Sequence, residues 1–177
     1  MSSTSPRLIV FAGLPGVGKS ALAGESARSL GASWLRVDAI EAAILKAGIA
    51  PSFETGLAAY LVAREIADER LSSGADVVID AVNGVEPARQ MWRELARAVG
   101  ARRFVIEVSC PDAAEHERRV RGRPVATPPL RNPTWEEVVR REYVPWAEPV
   151  LRLDGTLPPS ENLSRILRYC GGSEARP

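Results

Sequence analysis

Between an apolar run, Leu8-Ile9-Val10-Phe11-Ala12, and a stretch of helical composition, Ala21–Leu30, the chain reads Gly13-Leu14-Pro15-Gly16-Val17-Gly18-Lys19-Ser20. This is a full match to G-x-x-x-x-G-K-[ST], in the order buried strand, glycine-rich turn, helix. Glycines let backbone N–H groups curl around phosphate oxygens, and the helix that follows points its positive end at them. On this reading Gly13, Leu14, Pro15, Gly16, Val17, Gly18, Lys19, Ser20 and Ala21 cradle a nucleoside triphosphate, Lys19 reaches the β- and γ-phosphates, and Ser20 ligates Mg²⁺. Lys19 and Lys46 are the only lysines among 23 basic residues, the rest being arginine. Where either base would serve, the chain uses arginine, so Lys19 is chemically required: a compact ammonium fits between phosphates where a planar fork does not.

The length of 177 residues suits one domain, 1–177, and 45% hydrophobic with 25% charged residues is ordinary for a soluble protein. A net charge of +1 gives no argument for nucleic acid or a membrane surface as partner. No apolar run is long enough to span a bilayer, and Met1–Pro6 is polar, so the chain reads as cytoplasmic. Cys110 and Cys170 lack metal or redox spacing and are expected as reduced thiols. His116, the single histidine, lies in a charged run and is expected on a solvated helix face.

Strand and helix patterns alternate along the chain. A second strand, Trp34–Val37, ends at Asp38, with a short helix from Ala39 to Lys46. A long helix from Ser52 carries Leu57, Leu61, Ile66 and Leu71 near helical spacing and stops at Gly74. A third strand covers 76–80, a helix opens at Pro87 with Trp92, Leu95 and Val99 on one face, and a fourth strand covers 104–108. A helix over 112–121 leads into Gly122–Pro133, whose four prolines and missing apolar period read as a mobile loop. Thr134 with Glu137 forms a capping box, 149–154 is the fifth strand, 160–169 the closing helix, and the tail from Gly171 is expected to fray. This alternation predicts an α/β fold with a five-stranded parallel sheet in the order 2-3-1-4-5, helices on both faces, ligands at the carboxyl ends of the strands, and a small lid at about 119–133.

That topology gathers the chemistry-bearing residues. Asp80 ends the strand Val77-Val78-Ile79-Asp80 and is placed to hold Mg²⁺ with Ser20. Asp38, across from the γ-phosphate, can orient an acceptor hydroxyl or take its proton; a helix N-cap is its alternative role. Arg118, Arg119, Arg121 and Arg123 cluster before the loop; Arg119 and Arg123, four apart, share a helix face and suit closure on transferring phosphate. Trp34 and Trp92 are expected in the core, whereas Trp135 and Trp146 are equally suited to core and pocket.

With these residues in place, the chain from Arg7 to Tyr169 resembles the small P-loop kinases that include chloramphenicol phosphotransferase, zeta toxins, gluconate-kinase-like enzymes and the 5′-hydroxyl kinase domain of polynucleotide kinases. The resemblance rests on the phosphate loop, Asp38, the strand ending Asp80-Ala81, the Arg119 to Arg123 spacing and Asp154-Gly155-Thr156. It implies ATP as donor, Mg²⁺, Asp38 as the aspartate of the substrate hydroxyl, catalytic Lys19, Arg119 and Arg123, and Thr156 near the adenine. Several relatives carry arginine three residues after that aspartate to hold a substrate phosphate; here the position is Glu41. Asp38, Glu41 and Glu54 then make an acidic pocket for a neutral or cationic small-molecule alcohol, sugar or antibiotic-like acceptor. A nucleotide or polynucleotide kinase and a non-catalytic ATP-binding module are the alternatives; no Asn-Lys-x-Asp segment supports a GTPase.

Overall fold

The computed structural model describes residues 5–124 and 127–171. The expected frayed tail beyond Gly171 and most of the polar lead lie outside them. The element order is β1 (Arg7–Ala12), α1 (Lys19–Leu30), β2 (Ser33–Arg36), α2 (Val37–Lys46), α3 (Phe53–Ser72), β3 (Val77–Asp80), α4 (Glu86–Ala98), β4 (Arg102–Ser109), α5 (Ala113–Arg121), α6 (Trp135–Arg140), β5 (Leu151–Asp154) and α7 (Pro159–Tyr169). All four strand pairings are parallel and the order is β2-β3-β1-β4-β5, as the sequence predicts.

The central strands are buried on both faces, and their period of two divides the core. Leu8, Val10, Ala12, Val77 and Ile79 face a cluster completed by α3 and α4, including Trp92 and Leu95. Ile9, Phe11, Val78, Ile106 and Val108 face a second cluster completed by α1 and α7. Register aligns Phe11 and Arg36 with Asp80, so these three residues stand side by side at the carboxyl edge of the sheet.

Several local expectations are corrected. The long helix α3 buries Thr55, Ala59, Ala63, Ala67 and Leu71, whereas Leu57, Leu61 and Ile66 are exposed. Alanines let α3 lie close to the sheet and to α2, so the small side chains, not the large ones, mark its inner face. Trp34 is on the edge strand β2, 41% exposed, and lies over Gly24 of α1, where a Cβ would meet the indole at 2.9 Å. Trp92 is fully buried and donates Nε1–H to Asn83 Oδ1 (2.9 Å). Trp146 is core as well: its ring lies 3.9 Å from the guanidinium carbon of buried Arg89. That guanidinium donates to the carbonyls of Asn83, Gly84, Val144 and Pro145, pinning segment 143–146 against the start of α4. Cys110 and Cys170 are free thiols, and burial pushes the Cys170 pKa up to about 12. Among the described residues no helix is long and apolar enough to cross a membrane.

The small-residue face of α3 has a measurable consequence. Ala63→Leu should lower stability by about 1–3 kcal/mol through overpacking, while Leu61→Ala should change it by no more than about 0.5 kcal/mol. Urea unfolding midpoints of the two variants check this ordering.

Candidate active site

The phosphate loop is shaped by its neighbours as much as by its own sequence. Gly13, Gly16 and Gly18 all have positive φ. At Gly13 a Cβ would collide with the Val108 carbonyl oxygen of β4, so both the conformation and the close approach require glycine. Gly13 N–H donates to the Val82 carbonyl beyond β3 (3.1 Å), tying the loop to the neighbouring strand end. His116 is buried, in contrast to the solvated position expected of it: from α5 its Nε2–H donates to the Pro15 carbonyl (2.8 Å), and its ring meets Trp135 of α6 edge-on. Gly155, after β5, approaches so closely that a Cβ there would collide with the Val17 carbonyl oxygen.

Lys19 opens α1 and is buried, with Nζ 3.4 Å from Asp80 Oδ1. Arg36 Nε lies 3.9 Å from the other carboxylate oxygen and has no hydrogen-bond partner among the described residues. Asp80 is thus held between two cations at the carboxyl ends of adjacent strands. The Asp80 carboxylate, which is buried, and the Ser20 hydroxyl are both oxygen donors, the type that suits Mg²⁺, an ion that takes few protein ligands and completes its shell with phosphate and water. No cluster of three or more His, Cys, Asp or Glu that could form an all-protein metal cage occurs among the described residues.

Two clefts meet at this point. The first, about 400 Å³, is lined by Leu14, Gly16, Gly18, Lys19, Ser20 and Ala21 of the loop and helix start, and by Arg118, Arg119 and Arg123 opposite. Arg119 is anchored, with Nε–H donating to Glu115 (2.6 Å) and Nη1–H to the Gly155 carbonyl (2.8 Å). Arg118 also pairs with Glu115, and the two guanidiniums hold that carboxyl at about 2. Arg121 turns away to Glu117 and Glu136. Gly13 and Val17 are buried and do not line the cleft, and Pro15 faces the second one. Thr156, expected near adenine, is bonded back to Asp154 through its N–H (2.8 Å) and hydroxyl (2.7 Å) and does not line either cleft.

The second cleft, about 570 Å³, shares Lys19 and Arg123 with the first. Asp38, Glu41 and Leu45 enter it from one face of α2. Asp38 lies two residues past the end of β2, as expected, and in the first turn of α2; the N-cap is Arg36 and no side chain caps the helix, so Asp38 does not fill the alternative N-cap role. Asp38 makes no side-chain hydrogen bond among the described residues, so its carboxylate is available to a ligand. Burial, then the Asp38 charge, raises the Glu41 pKa, and Arg141 works against both. The acidic pocket expected from α2 is only half of the cleft: Arg123, Arg131 and Arg141 line it too, while Glu54 is exposed and outside it. Arg131 is neutralised by both oxygens of Glu137. Arg36 and Arg141 carry no motif signal, since only strand register and the docking of segment 143–146 bring them to the site.

The sequence pattern of a family described as AAA domain matches residues 8–141. No curated protein matches the chain. Among solved structures, the APS kinase CysC of Mycobacterium tuberculosis, in complex with AMPPNP and APS, is 19% identical with a TM-score of 0.70, covering 95% of this chain and 99% of that one. A gluconokinase from Sinorhizobium meliloti 1021 is 20% identical (TM-score 0.66; 94% and 93% covered), and a sugar kinase from Janibacter sp. HTCC2649 is 19% identical (0.67; 94% and 94%). At these identities the likeness is one of fold: a P-loop fold of the kinase type.

The raised Glu41 pKa sets a pH dependence. A carboxyl whose folded pKa lies above its unfolded value gives stability that is present below the unfolded pKa and is lost as pH rises through the folded one. Glu41→Gln should therefore have a higher Tm than the parent at pH 7, with the difference vanishing below pH 4; thermal melts across pH 3.5–7.5 test it.

Proposed function

The chain belongs to the AAA domain family, and on that premise we propose that it is an ATP- and Mg²⁺-dependent kinase that moves the γ-phosphoryl group to a hydroxyl of a small molecule. The observation that carries the reading is the junction of the two clefts: Lys19 and Arg123 line both, with Asp38 uncommitted on the acceptor side. A phosphate-binding module that only bound ATP would need no second cleft with a free carboxylate.

In this reading the loop backbone and Lys19 hold the β- and γ-phosphates, and Ser20 and Asp80 hold Mg²⁺. The bound ion neutralises charge on the phosphates. The acceptor hydroxyl oxygen forms a bond to the γ-phosphorus as the bond from phosphorus to the β–γ bridging oxygen breaks. The hydroxyl proton goes to the Asp38 carboxylate, and ADP leaves with the electron pair of the broken bond. Arg119, preorganised by Glu115 and Gly155, and Arg123 at the junction stabilise charge on the transferring group. In this reading the segment 119–133, of which residues 125 and 126 lie outside the described ones, acts as a lid that closes over both clefts and excludes water. Asp38 and Glu41 favour an acceptor without net negative charge, and Glu41 disfavours a phosphorylated one.

Lys19→Ala should abolish transfer, a loss of several kcal/mol in transition-state stabilisation, with the fold retained. Arg119→Ala and Arg123→Ala should each lower kcat with little change in ADP affinity, because a closing lid meets the γ-phosphoryl group mainly in the transition state; wild-type kcat in both would reduce the cluster to a surface feature. Asp38→Asn is the deciding experiment. Transfer should fall by about 10²- to 10⁴-fold at unchanged Tm and ATP affinity, whereas unchanged transfer removes Asp38 from the mechanism.

A further inference from the structure

The acceptor cleft is lined by charges of both signs, brought to it by different elements. Glu41 comes from α2, one turn after Asp38, and Arg141 from the C-cap of α6. No ion pair or hydrogen bond joins Glu41 to Arg141, and neither side chain has another ionic or hydrogen-bonding partner among the described residues. Arg131 is already saturated by Glu137, and Arg123 also serves the phosphate cleft. Asp38 is likewise unpaired, but the kinase reading assigns it the acceptor hydroxyl; Glu41 and Arg141 are the two charges in this cleft that neither a protein partner, the donor phosphates nor that hydroxyl accounts for. They line one and the same cleft.

Arg141 is also held in place. The capping box of Thr134 and Glu137 sets the start of α6, and just beyond Arg141 the segment 143–146 is clamped by Arg89 and by Val144 N–H donating to the Gly84 carbonyl (2.8 Å). Its backbone position is thereby fixed, while the exposed guanidinium remains free to turn toward a ligand in the cleft.

Resting on the kinase reading above, we propose that the acceptor is a zwitterionic alcohol, with its hydroxyl at Asp38, an ammonium group at Glu41 and a carboxylate at Arg141. The physical reason is desolvation. When a lid closes over the cleft, each charge left without a partner loses its water for nothing in return. A neutral alcohol strands both Glu41 and Arg141, an amino alcohol strands Arg141, and a hydroxy acid strands Glu41. Only an acceptor with both charges satisfies both residues, and it has no net charge. A phosphate ester in place of the carboxylate would bring a near-dianion toward Asp38 and Glu41 with one uncommitted guanidinium to receive it.

The test measures kcat/KM by phosphate transfer from ATP to four matched acceptors: sorbitol, 1-amino-1-deoxysorbitol, gluconate and 2-amino-2-deoxygluconate. The last should exceed each of the others by at least ten-fold. Arg141→Gln should reduce it to the level of the amino alcohol, and Glu41→Gln to that of gluconate, with Tm lowered in neither. Equal kcat/KM across the set, or a maximum at any of the other three, overturns the proposal and leaves the kinase reading intact. Should none of the four accept phosphate, the acceptor returned by an alcohol-library screen decides: one with both ammonium and carboxylate sustains the proposal, and one lacking either overturns it. Transfer to no alcohol at all refutes the kinase reading and the proposal with it.

Discussion

Everything at the candidate site depends on a phosphate loop whose backbone is braced before any ligand arrives. Three contacts hold it: Gly13 against the Val108 carbonyl, Gly155 against the Val17 carbonyl, and His116 donating to the Pro15 carbonyl. Each comes from a different element, β4, the turn after β5 and α5. A loop with three positive-φ glycines would be expensive to order on its own, because glycine loses the most conformational freedom on folding. Here that ordering is completed by folding, so ligand binding need not supply it, and N–H groups already aimed at an anion act without reorganisation.

The same bracing links the nucleotide cleft to the segment that would cover it. His116 touches the loop on one side and Trp135 on the other, and Trp135 opens α6, which ends at Arg141 in the acceptor cleft. Arg119 makes a second link, from α5 to the Gly155 carbonyl and hence to the turn that packs on Val17. Loop, α5 and α6 thus form one connected unit around the junction of the two clefts. Charge is balanced locally in the same region: Asp80 sits between Lys19 and Arg36, and Glu115 between Arg118 and Arg119. Glu41 and Arg141 stand out because that local pairing does not reach them.

Much of this architecture is legible in the chain itself. The glycine-lysine-serine spacing, the short apolar runs and the capping box at Thr134 are local signals with local physical causes, and each reports its element correctly. Periodicity fails where packing distance decides. On α3 the leucines suggested the inner face, but close approach to the sheet and α2 selected Ala59, Ala63 and Ala67. His116 in a run of charged residues gave no sign that a backbone carbonyl from the phosphate loop would take its proton donor. Trp34 looked like core because a strand bearing it is apolar, yet β2 is an edge strand and its outward face is only partly covered.

The sequence by itself determined the phosphate cradle and the sheet that presents it, because a glycine-rich turn between a buried strand and a helix has few ways to fold, and strand–helix alternation leaves a parallel sheet as the natural solution. That Asp38 and Glu41 share a helix face followed only from α2 starting at Val37, two residues earlier than the sequence pattern suggested. Only the tertiary structure decided what lines the cleft with them. Arg36 meets Asp80 through strand register, and Arg141 reaches the acceptor cleft because Arg89 pins the following segment to the start of α4. These are contacts between residues distant along the chain, whose pairing depends on how separate elements dock and leaves no periodic trace in the sequence.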